Sequence, residues 1–362
     1  DICAPFKGNA DGGVLVPWMA SERRIGGTFY RAPRSSGMKV QKNGRVARFR
    51  PVGRQFGFVV LFMTLAGCGG GQSALNTAGR EAASIALLFW VMLCGAGVLW
   101  LLVNGAFYYV SRIAPGRLDA RHARSVLIGG GIVLPVVVLT ALLVWGLSIL
   151  PDPRRPGDGL VVRVTGEQWW WRVEYWPEGA ETPIVTANEI RLPAGQRTEF
   201  RLAADEVIHS FWIPALGGKM DMFPGRETMI SLAPERPGVY RGQCAEFCGA
   251  SHAWMAFAAV VMPSEAFDDW LAAEAADAVP PTDEAALRGQ EVFLSEGCGA
   301  CHTVRGTEAV GTVGPDLTHI GSRRTLGAGR STVTLENLGT WITHTEALKP
   351  EVRMPSYALS EG

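Results

Sequence analysis

Two stretches of this chain are too long and too uniformly apolar for an ordinary soluble core. "ASIALLFWVMLCGAGVLWLLVNGAFYYV" runs from Ala83 to Val110, and "SVLIGGGIVLPVVVLTALLVWGLSIL", from Ser125 to Leu150, carries no charged residue. A bilayer is crossed by about 20 apolar residues, and a soluble helix normally keeps one polar face. The segment between them, "SRIAPGRLDARHAR", sets Arg112, Arg117, Arg121 and Arg124 against one acid, Asp119. Positive loops stay in the cytoplasm. The sequence therefore predicts a transmembrane hairpin over residues 83–150, with everything after Leu150 on the outer, periplasmic side of a bacterial inner (plasma) membrane. Cys94 and the Gly95/Gly97 pair read as helix-packing residues within the first span.

The N-terminal part fits that topology. Arg45, Arg48, Arg50 and Arg54 precede an apolar run from Phe56 to Leu65, which "LAGC" closes at Cys68. A positive region, a short apolar core and a small-residue site make an export signal, here residues 38–68. "LAGC" also resembles a bacterial lipobox, which would make Cys68 a lipid-acylated first residue. Residues 1–37, with Cys3, show no periodicity and read as a non-native leader before Met38. Residues 69–82 are a linker. Lys and Arg balance Asp and Glu at 34 each, so nothing in the charge points to nucleic acid.

Beyond the hairpin the pattern changes to strands. In "LVVRVTGEQWWWRVEYW", Val162, Val164, Trp169, Trp171, Val173 and Tyr175 follow a period of two. "NEIRLPAGQRTEFRLAA", "ETMISLA", "GVYRGQC" and "AFAAVVM" add short strands between Pro/Gly turns, the signature of an antiparallel sandwich or barrel. This domain spans 151–273 and ends in the amphipathic "SEAFDDWLAAEAA". A linker over 274–283 leads to a third domain, 284–362, helical at each end and rich in loops.

Four of the seven cysteines fall into two tight pairs, which is metal or cofactor spacing rather than a disulfide framework. The first lies in "CAEFCGASHAWM": Cys244, Cys248, His252 and Met255, with His209 upstream in "VIHSFWIPALGG" at the end of a strand-like run. Thiolate, imidazole and thioether together favour copper. A disulfide would leave His252 and Met255 without purpose, a mononuclear copper site would leave one Cys over, and zinc has little use for Met. Two bridging thiolates with one His on each metal suit a dinuclear copper centre, with Met255 and the Glu246 carbonyl as weak axial ligands.

The second pair is "CGACH", Cys298, Cys301 and His302, the spacing of covalent heme c attachment. "LRGQEVFLSEG" reads as a helix with Gly289 and Phe293 on one face. Pro315 in "VGPDLTHIGSR" would orient the axial histidine, and Met354 in "RMPSY" is the candidate sixth ligand. His319 and His344 are rivals for that position.

With these residues in place, "CAEFCGASHAWM", "VIHSFWIPALGGKMDMFPGR" and "VTGEQWWWRVEY" resemble subunit II of the heme–copper cytochrome c oxidases over roughly Ala83 to Ala273. Residues from about Thr282 resemble a class I cytochrome c, and the fusion is similar to the caa-type subunit II. The resemblance implies a multi-domain fold: a two-helix hairpin, a cupredoxin-like Greek-key β-barrel and a mostly α cytochrome c domain. It implies dinuclear Cu(A) held by His209, Cys244, Cys248, His252, Met255 and the Glu246 carbonyl, and a magnesium ion reached by the Glu246 carboxylate at the subunit I interface. Trp169 matches the tryptophan through which electrons reach the copper. Implied partners are subunit I and the other oxidase subunits, where oxygen is reduced and protons are translocated. The implied donor is a cytochrome c or a quinol:cytochrome c reductase.

Two departures stand out. No carboxylate occurs between Ser125 and Leu150, where many members feed a proton pathway, and His122 is the nearest ionisable residue that could substitute for one. The cytochrome family's last helix would begin near "ALSEG", so the third domain is expected to be incomplete at its C-terminus. A copper-containing nitric oxide reductase could use a similar subunit. A quinol oxidase would lack these copper ligands, and a free-standing carrier would have no use for the hairpin.

Overall fold

A computed structural model describes residues 70–116, 119–150 and 155–358. The leader, the export signal and Cys68 lie outside the described residues.

The first apolar stretch forms helix α1 (Arg80–Tyr108), which widens into a π turn through Ile113. The second is α2 (Ala120–Ile128), a π turn over Gly129–Val133, and α3 (Leu134–Ser148). Pro135 has no N–H to offer one turn back, and the helix relaxes just ahead of it through three consecutive glycines. Both helical runs, of 34 and 29 residues, are long and apolar enough to cross a membrane, and none of their apolar windows is buried by protein. They begin earlier than the sequence pattern suggests, at Arg80 and Ala120. The reason at Arg80 is tertiary. Glu81 accepts from Arg197 Nη2 at 2.6 Å and from the Ala233 N–H at 3.0 Å, and both partners belong to the β domain. The first turn of α1 is thereby bolted to the strands above it.

The β domain holds ten strands: β1 (Val161–Glu167), β2 (Trp170–Trp176), β3 (Ile184–Ala187), β4 (Glu189–Pro193), β5 (Thr198–Ala204), β6 (His209–Trp212), β7 (Met220–Met222), β8 (Thr228–Leu232), β9 (Gly238–Cys244) and β10 (Ala256–Met262). They form two five-stranded sheets in the orders β3-β2-β1-β5-β8 and β4-β10-β9-β6-β7. The expected barrel is therefore a cupredoxin-like sandwich. Pairing is antiparallel except between β1 and β5 and between β4 and β10. Residues 160–176, one alternating run in the sequence, are a hairpin that pairs Val161 with Trp176. The inward set switches from even to odd numbers across the turn at Gln168–Trp169, so alternation continues on both arms, and all six predicted inward residues are buried.

Aromatic rings fill the space between the sheets. Phe211 and Phe257 stack at 5.2 Å with planes 13° apart, and the fully buried Trp171 meets both edge-on at 6.1 and 5.2 Å. Gly242 lets this happen, since a Cβ there would sit 2.1 Å from the Phe257 ring. Helix α4 (Ser264–Ala275) closes one end by setting Phe267 and Trp270 against Tyr175.

The third domain contains α5 (Glu284–Ser295), a short turn over Cys298–Ala300, a two-stranded ribbon β11 (Thr325–Leu326) and β12 (Ser331–Thr332), and helices α6 (Leu335–Thr343) and α7 (Thr345–Leu348). Asp283 and Thr334 cap α5 and α6 through their side chains. The segment between the domains is pinned rather than slack. Arg305 Nη2 donates to the carbonyls of Glu274 and Ala276, and Ala278 N–H donates to Arg305 O at 3.0 Å. Further bonds join the domains: Arg305 Nη1 to Val185 O at 3.1 Å, Arg323 Nη2 to Thr186 Oγ1 at 3.2 Å, Arg324 N–H to Glu189 Oε2 at 2.8 Å, and Arg172 Nη2 to Thr312 O at 2.8 Å.

Candidate metal centre and heme site

His209 does not end a strand but opens β6, fully buried, its backbone paired with Met222. Its ring lies over Gly166 of β1, where a Cβ would come within 2.8 Å of it, so only glycine lets β1 pass. Cys244 is the last residue of β9. The loop after it returns as β10, and its ends are tied by Cys244 N–H donating to Met255 O at 2.9 Å. That tie folds residues 244–255 into a closed loop, with His252 on a short turn and Met255 beside the start of β10.

The predicted ligand atoms converge inside this loop. Cys244 and Cys248 are free thiols with their sulfurs 3.8 Å apart. His209 Nδ1 lies 3.7 Å from Cys244 Sγ, and His252 Nδ1 lies 3.5 Å from Cys248 Sγ. Met255 Sδ is 3.8 Å from Cys248 Sγ, and the Glu246 carbonyl oxygen is 3.1 Å from Cys244 Sγ. His209, Cys244, Cys248 and Met255 are buried, His252 is half-buried, and Glu246 is exposed. Sulfurs 3.8 Å apart lie within twice a metal–thiolate bond of about 2.3 Å, so both can bind the same ion.

The sulfur pair is electrostatically primed for a cation. The Cys248 thiol hydrogen-bonds Cys244 and holds it well below the usual thiol range, with burial opposing and His209 assisting. The same bond, together with burial, pushes Cys248 up. One negative charge therefore forms readily, and a second is resisted until a cation compensates it.

Trp169 is fastened to the loop. Its Nε1–H donates to the Cys248 carbonyl at 2.9 Å, beside Gln168 Nε2 at the same distance. The indole packs over Gly249, whose φ of +118° and 2.9 Å clearance for a Cβ both demand glycine.

In the third domain, Cys298 is half-buried and Cys301 exposed. His302 Nδ1 donates to the Pro315 carbonyl at 2.8 Å, the orienting contact expected of that proline, and this leaves Nε2 as the free ring nitrogen. Gly314 lies against the ring, where a Cβ would be 2.5 Å from Cε1. Gly314→Ala is expected to swing His302 off the Pro315 carbonyl and weaken the axial heme bond, seen as a shift in the visible heme spectrum with copper content unchanged. Met354 sits half-buried in the loop that Tyr357 N–H fixes to Ile342 O at 2.9 Å. The rival histidines also have Nδ1 in contacts, His319 at 3.3 Å from Arg305 Nη2 and His344 at 2.7 Å from Thr343 Oγ1, and as in His302 this leaves Nε2 as the other ring nitrogen. Arg172, Arg305, Arg323 and Lys349, the basic residues at the domain boundary, carry no signal in the sequence pattern. Each stands in a polar loop or at an alternating strand position, where exposure is the ordinary expectation.

Comparison with known proteins identifies both outer domains. The family description "cytochrome c oxidase subunit II, periplasmic domain" matches residues 160–262, and "cytochrome c" matches residues 286–361. Cytochrome c oxidase subunit 2 of Alkalihalophilus pseudofirmus is 32% identical over 335 residues, covering 88% of this chain and 94% of that protein. The Bacillus subtilis subunit 2 is 34% identical over 233 residues, covering 62% of this chain and 64% of its own length. The solved periplasmic domain of subunit II from Bradyrhizobium japonicum is 28% identical, covering 33% of this chain and 95% of that one, with a TM-score of 0.29. A subunit II periplasmic domain implies copper and a cytochrome c domain implies heme, and the chain belongs to the cytochrome c oxidase subunit 2 family.

Proposed function

We propose that this chain receives electrons at a heme c in its own third domain and passes them, through dinuclear Cu(A), to subunit I of a heme–copper oxidase, where oxygen is reduced to water with proton translocation. The observation that carries the reading is the ligand set of the 244–255 loop. It offers two thiols at bridging distance, one histidine Nδ1 facing each, and a thioether and a carbonyl on the flanks. Zinc would leave Met255 idle, and a mononuclear copper would leave one thiolate unbound.

Bound copper and heme each supply a one-electron couple, and the chain's residues do the rest. Cys244, Cys248, His209, His252, Met255 and the Glu246 carbonyl would hold the copper through two thiolates, two imidazoles, a thioether and a carbonyl. The loop closed by the Cys244 N–H to Met255 O bond gives these ligands fixed positions, which keeps the rearrangement on electron transfer small. Cys298 and Cys301 would attach the heme and His302 and Met354 would ligate its iron, a His/Met pair that raises the heme potential. Trp169, bonded to the Cys248 carbonyl, is the residue placed to pass electrons onto the copper loop. The exposed Glu246 is free to contribute a carboxylate to a magnesium ion against subunit I.

In this reading the hairpin spans the inner membrane twice and holds both redox domains on the outer face, with a lipid at Cys68 as a possible further anchor. The donor is a cytochrome c or a quinol:cytochrome c reductase. Purification from native membranes tests the assignment. Co-purification with subunit I and oxygen uptake driven by reduced cytochrome c are expected. A hairpin that purifies alone, or a complex that reduces nitric oxide in place of oxygen, contradicts it.

A further inference from the structure

The cytochrome domain covers the very loop that carries the metal ligands, and one side chain reaches through the seam. Lys349 follows α7, is 2% exposed, and donates from Nζ to Trp169 O at 2.5 Å in the β domain and to Gly327 O at 2.9 Å in its own. Its backbone is held on the cytochrome side, with Lys349 N–H donating to Thr345 O at 2.9 Å and the preceding carbonyl, Leu348 O, accepting from Arg330 Nε at 2.9 Å. Gly327, at φ +59° beneath the Trp341 ring, aims its carbonyl at the amine. Around Lys349 the domain also grips the other arm of the loop. Ser251 Oγ donates to Pro350 O at 2.5 Å, Ala256 N–H donates to Ala328 O at 2.9 Å, and the Arg330 guanidinium lies 4.3 Å over the Trp254 ring.

A buried lysine is expensive unless its donors are satisfied. Here two of its three donors reach carbonyls, one from each domain. The amine joins one carbonyl of each domain, so the site has the character of a fastening. Removing the amine would leave both carbonyls without their donor inside a dry seam.

We propose that Lys349 is the positioning residue that seats the cytochrome domain on the copper loop, so that Trp169 is reached from this chain's own heme domain and not by a separate donor protein. The proposal rests on the electron-input reading above, and it replaces a loosely tethered heme domain with a docked one. Lys349 acts through Trp169, and among the described residues it hydrogen-bonds no proposed copper or heme ligand.

Two measurements on the intact oxidase test it. Amine-reactive labelling should modify the exposed Lys219 while Lys349 is protected by about tenfold or more, as a seam that opens only rarely requires. Labelling of both at equal rates overturns the proposal, with or without a working electron path. In Lys349→Met, electron transfer from heme to copper after rapid photoreduction should slow by about tenfold or more, because small misplacements of a donor cost rate steeply. The optical and EPR signatures of both centres should stay as they are in the unaltered complex. A rate within about twofold of the original overturns the proposal, as does loss of the copper signal, which would make Lys349 a support of the metal site itself. If the variant does not assemble, the labelling contrast decides. If the unaltered complex lacks either cofactor signature, the electron-input reading fails instead.

Discussion

Cys248→Ser is expected to remove the dinuclear centre and nearly all oxidase turnover while leaving the heme in place. Serine keeps the shape but offers a hard oxygen where a polarizable thiolate is needed. Cys248 is also the hub of the loop: its sulfur faces Cys244, His252 and Met255, and its carbonyl receives Trp169 and Gln168. Losing a mere outer partner of a metal ligand costs about 10–100-fold in affinity or activity, so losing a bridging ligand should exceed that range. Copper per chain, heme absorbance and oxygen uptake, measured on one preparation, check the prediction. Cys94→Ser, on an exposed face of α1, is the matched control and should change none of the three. Turnover in Cys248→Ser close to the unaltered level would remove the thiolate pair from the mechanism.

The largest effect on stability is expected at Trp171. It is completely buried and touches Phe211 and Phe257, with His209 at 6.3 Å between ring centroids. Trp171→Ala should cost about 3–5 kcal/mol, the usual price of a large aromatic in a core that cannot collapse around the hole. Domains are stable by only about 5–15 kcal/mol, so this loss approaches the whole margin. It should also loosen His209 and lower copper retention. Trp171→Phe keeps a ring in the cluster and removes an indole N–H that has no hydrogen-bond partner among the described residues, so its cost should fall well below that of alanine. Urea unfolding followed by intrinsic fluorescence separates the two. Equal midpoints for Trp171→Ala and the unaltered protein would deny the aromatic cluster its role.

Much of this architecture was legible in the sequence because it depends on local pattern. Period-two alternation marked Val162, Val164, Trp171, Val173 and Tyr175 as inward, and they are buried. The spacing from Cys244 to Met255 marked a ligand loop, and that loop gathers the ligand atoms. Pro315 was expected to orient His302, and its carbonyl accepts from that ring. What pattern could not give was pairing in space. Nothing local distinguishes a continuous strand from the β1–β2 hairpin, since alternation resumes after the turn on the other parity. His209 was placed at the wrong end of its strand because "VIHSFW" is apolar on both sides, and the boundary is fixed by pairing with Met222. The sheet order, with its two parallel pairs, depends on contacts distant in sequence. Lys349 is the clearest case of an illegible residue. A lysine before a proline in a polar loop has no burial signature, and its environment is made by Trp169 and Gly327, far away along the chain.

If Cys244 and Cys248 together hold two coppers that share one electron, EPR of the purified, copper-loaded protein should show a hyperfine pattern from one electron spread equally over two copper nuclei, lost in Cys248→Ser. A signal from a single copper nucleus, or a protein that takes up zinc and no copper, would contradict it.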